Sequence, residues 1–182
     1  MTKSNPKPTF RVANMADLDA LFHLMRQLYA DDPGATSLQE AEVLAPLTEL
    51  LTSPSYGRVY VAMLDNLVVG SMIVCFGFSL EFRGRDAFID EFVIDREHRL
   101  QRIGSELLEF VILDIAHYRI RALHLEVNND NQRAADFYYG RGFVDHERHL
   151  LTRWLIESEL SPQTDVERQR RRAFLAGISI GE

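Results

Sequence analysis

Two runs of β-branched and aromatic residues, separated by only two positions, constrain this chain more than any other feature. Residues 59–64 (VYVAML) and 67–76 (LVVGSMIVCF) flank Asp65-Asn66. Asp and Asn tolerate the left-handed backbone that a two-residue reversal needs, so the segment reads as an antiparallel hairpin. A third strong run, residues 87–94 (AFIDEFVI), follows a loop or bulged extension over 78–86 that contains Arg83-Gly84-Arg85. Three successive strands give the first half of the chain a largely antiparallel character.

Helical patterns surround these strands. After a loose end over residues 1–8 and a short strand over 9–13, Asn14 stands as an N-cap with Asp17 in the first turn. Leu18, Leu21, Phe22, Met25, Leu28 and Tyr29 then recur at helical spacing until Asp31-Asp32-Pro33-Gly34 stops the helix. A second helical pattern over 37–51 is kinked at Pro46 or begins near it. A long helix over 104–118 lines Leu107, Leu108, Val111, Ile112 and Ile115 along one face. A strand over 122–127 and a short helix over 131–139, ended by Gly140 and Gly142, come next. Residues 143–144 and 150–155 suggest a terminal hairpin, and 163–176 a polar, arginine-rich helix. The order predicts a single-domain α/β (α+β) fold over 9–155, with a tail over 156–182.

Composition narrows the classes. The chain has 182 residues, 46% of them hydrophobic, which suits one compact domain. Its formal charge of -7 argues against nucleic acid as a partner and is compatible with cationic amines. The lone cysteine, Cys75, excludes a disulfide framework and sits in an apolar strand as a small core residue. Residues 1–8 lack an apolar leader, and no stretch matches a membrane span, so the expected setting is cytoplasmic and away from membranes. His146 and His149 have no companions at metal-ligand spacing, and no metal site is read. Arg168, Arg170, Arg171 and Arg172 read as a solvated helix face.

The chemistry concentrates in residues 90–108, DEFVIDREHRLQRIGSELL. A strand ends, a polar loop follows, and a helix starts at Gly104-Ser105. Unpaired N–H groups at a helix N-terminus carry the positive end of its dipole, and a glycine lets a phosphate approach them. Arg99 and Arg102 add positive charge. Two readings stand on these residues alone: a pyrophosphate site, or a capped helix after a basic turn.

This segment resembles motif A of the GNAT superfamily of N-acetyltransferases, Arg/Gln-x-x-Gly-x-Gly/Ala between a strand and a helix. Arg99 takes the first position and Gly104 the last, whereas the middle glycine is replaced by Arg102. Residues 128–143 (NNDNQRAADFYYGRGF) are similar to motif B, with Asn131, Ala134, Phe137, Tyr138, Gly142 and Phe143 in its pattern. The resemblance covers roughly residues 9–155 and implies a mixed central sheet flanked by helices. It also implies acetyl-CoA as cosubstrate and direct acyl transfer to a primary amine in a ternary complex. The acceptor would be a small molecule or a protein amine, and a homodimer is common in the family.

The resemblance also assigns roles. The backbone of Phe92, Val93 and Ile94 would pair with the pantetheine arm, and Asn131 would contact that arm besides capping its helix. The loop Arg99, Leu100, Gln101, Arg102, Ile103, Gly104 and Ser105 would cradle the pyrophosphate. Tyr138 would protonate the leaving thiolate beside the CoA sulfur. Only about one primary amine in 2,500 is deprotonated at pH 7, so a general base is useful. Asp90 and Glu91 are the candidates, with Glu91 preferred. Adjacent strand residues face opposite sides, so at most one of them is expected to face the acceptor. The alternative reading is a CoA-binding or regulatory module that keeps the fold without turnover, argued from Arg102.

Overall fold

The computed structural model describes residues 6–31 and 40–153. Its elements are strand β1 (Thr9–Val12), helix α1 (Leu18–Asp31), helix α2 (Glu40–Thr52), strands β2 (Gly57–Leu64), β3 (Leu67–Ser79) and β4 (Gly84–Ile94), helix α3 (Ile103–Ala116), strand β5 (Leu123–His124) and helix α4 (Gln132–Tyr139). Single 3-10 turns at Met15–Asp17 and Arg96–His98 precede α1 and follow β4. The five strands form one sheet in the order β1-β2-β3-β4-β5, antiparallel except for the parallel pair β4–β5. The fold is the expected mixed sheet with helices. The described residues divide into two compact units at Asn131/Gln132, the first with the sheet and α1–α3 and the second with α4.

The hairpin forms as read. Asp65 and Asn66 both take positive φ, 48° and 66°, the left-handed geometry of a tight reversal. Asn14 caps the first turn, its side chain accepting from the Ala16 amide while Asp17 returns a bond to the Asn14 amide. Arg11 grips Asp17 with two bonds of 2.7 Å, which holds that carboxylate below the usual Asp range.

Strand alternation splits the core into two layers. Val59, Val61, Ile73 and Val93 pack with Leu21, Leu24 and Met25 of α1 and Leu47 of α2. On α3, Leu107, Leu108 and Val111 are fully buried. Tyr60 reaches that helix too, donating its buried hydroxyl to Asp114 at 2.7 Å, and burial followed by the Asp114 bond raises its pKa.

Helix α2 starts well before Pro46 and continues past it, since the proline removes one backbone donor without ending the helix. Three expectations change. The stretch read as a loop over 78–86 is mostly strand: β3 continues to Ser79 and β4 starts at Gly84. The strand over 122–127 shrinks to Leu123–His124. Residues 143–153 contain no strand; Val144, Leu150 and Leu151 stay exposed, since such short apolar runs separated by the polar DHERH stretch bury too little surface to order a hairpin. Residues 154–155, and the arginine-rich helix expected over 163–176, lie outside the described residues.

Candidate active site

Strand β4 carries the acids, and its pairing breaks at Asp90. Glu91 opposes Ile73, but Ile89 opposes Val74, so Asp90 is an extra residue in a β-bulge. The bulge resets the alternation. Phe88, opposite Cys75, and Glu91, opposite Ile73, share the face that packs toward α1. The Asp90 charge raises the Cys75 pKa, second to burial, so the two groups lie close together. The expectation that at most one acid faces the acceptor assumed unbroken alternation, which the bulge interrupts.

The two acids differ in surroundings. Tyr29 of α1 donates its hydroxyl to Glu91 Oε1 at 2.7 Å. Asp90 is solvent-accessible yet crowded by the sheet, and this loss of hydration alone raises its pKa above the ordinary Asp value. A carboxylate with raised basicity is better matched to proton abstraction than one engaged by a phenol.

After β4 the chain turns into α3 through a loop tied down by α1. Asp31, at the end of α1, accepts from Arg96 at 2.6 Å and from Arg99 at 2.7 Å, and these two bonds lower its pKa, Arg96 first. Arg99 also donates to the Ile94 carbonyl at 2.9 Å. Asp95 accepts from Gln27, His98 and the Glu97 amide; burial opposes its ionisation, but these bonds outweigh burial and its pKa falls. The Arg99 side chain thus shapes the loop through its bonds to Asp31 and the Ile94 carbonyl.

Arg102, where the motif has glycine, adopts φ 67°, the left-handed region. That geometry explains the motif glycine, since a side chain there costs about 1–2 kcal/mol. The Arg102 side chain is exposed and makes no capping bond, so it leaves the helix entrance open. Gly104 serves close packing: a Cβ there would meet Phe92 at 3.3 Å and Ile94 at 3.4 Å. The first turn of α3 thereby sits tight against β4 with its amides at the loop, an arrangement that suits a pyrophosphate. Replacing Arg102 by glycine should relieve the strain, offset in part by unfolded-state entropy. The expected net gain is up to about 1 kcal/mol, or about 2–4 °C in melting temperature, with acetyl-CoA affinity preserved. Thermal melts with and without acetyl-CoA check this; a lower melting temperature would contradict the strain argument.

The ladder between β4 and β5 covers only Ala87–Leu123 and Phe88–His124, so Phe92, Val93 and Ile94 lie beyond it. Asn131 directly precedes α4, its amide bonded to the Asn128 carbonyl. In the second unit, Tyr138 lies edge-on to Phe137 and Phe143, with centroids 5.1 and 5.4 Å away. Desolvation pushes its hydroxyl up to about 12, so it stays protonated across the physiological range, as a donor must. Tyr139 is exposed, as its place on the helix implied.

Sequence reasoning missed Tyr29, Gln27 and Asp31 as partners of the site. Tyr29 was legible only as part of an apolar helix face; nothing local announces a contact 62 positions away. The bulge likewise has no signature within AFIDEFVI.

The profile of the acetyltransferase (GNAT) family matches residues 22–143. No curated protein matches the chain. Among solved structures, the integron cassette protein HFX_CASS3 from the mobile metagenome of Cole Harbour Salt Marsh is similar at 26% identity and TM-score 0.71, covering 81% of this chain and 90% of that one. A possible acetyltransferase from Clostridium difficile 630 superposes at TM-score 0.74 with 20% identity, covering 82% of this chain and 99% of its own. The aminoglycoside N-acetyltransferase AAC(6')-Iy, solved in complex with CoA, superposes at TM-score 0.70 with 15% identity over 85% of this chain and 99% of its own. The latter two likenesses speak to the fold alone. With the family profile spanning both motif-bearing segments, this chain belongs to the acetyltransferase (GNAT) family.

Proposed function

We propose that this protein transfers an acetyl group from acetyl-CoA to a primary amine of a polyamine-like or aminoglycoside-like small molecule. The observation that carries this reading is the Asp90 bulge, which interrupts the alternation of two carboxylates of β4 directly before the loop into α3. Two acids there attract an ammonium group, and Asp90 can take its proton. The loop amides from Arg99 to Ser105 would hold the pyrophosphate, and the backbone of Phe92, Val93 and Ile94 the pantetheine arm, with Asn131 as a further contact. When bound, acetyl-CoA supplies the thioester whose carbonyl the amine attacks. Tyr138 would stabilise the leaving sulfur. A phenol near 12 holds its proton more tightly than a thiol near 8.5, so it acts mainly by hydrogen-bond donation. Among the described residues, no helix is long and apolar enough to cross a membrane, and we place the reaction in the cytoplasm.

Calorimetric titration with acetyl-CoA, followed by thiol release from an amine panel, tests the proposal. Micromolar binding with amine-dependent release is expected. Tyr138→Phe should then lower kcat about 10- to 100-fold and leave acetyl-CoA binding intact. Binding without release from any amine would favour a regulatory CoA-binding module.

A further inference from the structure

The α1-side face of β4 carries a second pair of ionisable groups that the chemistry above does not use. Asp86 opposes Gly77 and His124 opposes Phe88. Alternation places both on the face shared with Cys75, and with Glu91 beyond the bulge, while Asp90 lies close to Cys75. His124 Nε2 lies 3.7 Å from Asp86 Oδ2, and both side chains are mostly buried. Nε2 and Asp86 Oδ1 have no hydrogen-bond partner. Stability alone disfavours such an arrangement. The fold nonetheless makes room for it. A Cβ at Gly77 would meet Asp86 Oδ1 at 2.5 Å, so the glycine admits the carboxylate. The Phe82 ring packs against the imidazole with centroids 4.6 Å apart. With Nε2 turned to the carboxylate, the tautomer protonated there leaves the Nδ1 lone pair available.

Proton transfer gives this pair a use. Moving a proton from an ammonium group, near 10.4, to an ordinary carboxylate, near 3.9, is unfavourable by about 10⁶-fold; to an imidazole, near 6.5, by about 10⁴-fold. We infer that His124, oriented by Asp86, is the onward acceptor of the proton that Asp90 draws from the acceptor amine. His124 pairs with Phe88, two residues from Asp90, so the backbones of His124 and Asp90 lie roughly 8 Å apart, a span for their side chains with a water between them. The inference rests on the acetyl-transfer reading. In balance, the amine nitrogen forms the C–N bond to the acetyl carbon, and the C–S bond breaks. The ammonium gives up one proton before attack and the nitrogen a second once the C–N bond has formed, each moving through Asp90 and water to His124 Nδ1 and then to solvent. The sulfur leaves with its electron pair, hydrogen-bonded by Tyr138, and takes its proton from solvent. Asp86 is a positioning residue. The ionisable groups on the surrounding elements are Asp86, Asp90 and Glu91 on β4, Cys75 on β3, Glu81 and Arg83 in the β3–β4 turn, and Arg121 and Glu126 beside His124 in sequence.

The test is the pH profile of kcat/KM for thiol release with spermidine, kanamycin and a peptide N-terminus as acceptors. Wild type should show an acidic limb that depends on His124. H124Q should lower kcat about 10- to 100-fold, displace that limb and leave acetyl-CoA affinity unchanged; D86N should follow it in part. Added imidazole should restore rate to H124A, which a purely structural role would not permit. An H124Q variant with the wild-type rate and limb overturns the inference alone, as does a rate loss with an unmoved limb and no imidazole rescue. A wild-type protein that releases no thiol with any of the three acceptors overturns the acetyl-transfer reading and the inference with it.

Discussion

Replacing Asp90 by asparagine should slow acetyl transfer by about 100-fold or more while raising the melting temperature at neutral pH. The rate loss follows from removing a general base, a contribution of about 10²–10⁴-fold. The stability gain follows from the sign of the pKa shift. Desolvation raises the folded-state pKa of Asp90 above its unfolded value. The folded state therefore binds that proton more tightly, and the contribution to stability is fully present below the unfolded pKa and lost as pH rises through the folded one. At pH 7 the native protein holds a poorly hydrated charge, which asparagine removes without changing the shape. Steady-state kinetics and thermal melts at pH 4 and pH 7 check both halves. The stabilisation should shrink at pH 4; a variant equally destabilised at both pH values would show that Asp90 is a structural residue.

Gly57→Ala should destabilise the fold by about 3 kcal/mol or more, which corresponds to a melting temperature lower by about 6–12 °C. Gly57 opens β2 opposite Cys75. A Cβ at this position would lie 2.0 Å from the Val74 carbonyl oxygen and 3.0 Å from the Cys75 Cα. Both obstacles are backbone of the central strand, which cannot rotate aside as a side chain can. Urea denaturation checks this. A midpoint within about 0.5 kcal/mol of wild type would mean that β2 can shift at its start without cost to the hairpin.

Local patterns made the hairpin, the third strand, the long helix and both motif segments legible, because each depends on periodicity or on a residue suited to an unusual backbone angle. Asp65-Asn66 is the clearest case, since those two residue types tolerate the φ values the turn adopts. The failed terminal hairpin is the converse. Its apolar residues looked strand-like one by one, but a strand forms only where a partner covers it, and periodicity does not reveal the partner.

Within the site, the residue types of the chemistry were determined by sequence: two adjacent acids on a strand, a loop leading into a helix N-terminus, and a tyrosine on a short helix. The tertiary structure alone decided their arrangement. A single extra residue against β3 interrupted the alternation at Asp90 and Glu91, and α1 chose between them by bringing Tyr29 to Glu91. Arg99 was legible as a basic residue of the loop, but its bond to Asp31, 68 positions away, was not. His124 and Asp86, 38 positions apart, met only because β5 joins the sheet in parallel beside β4. Backbone geometry is a local property that side-chain type can encode, whereas bulge register, ion pairing and desolvation depend on which distant segments the fold packs together.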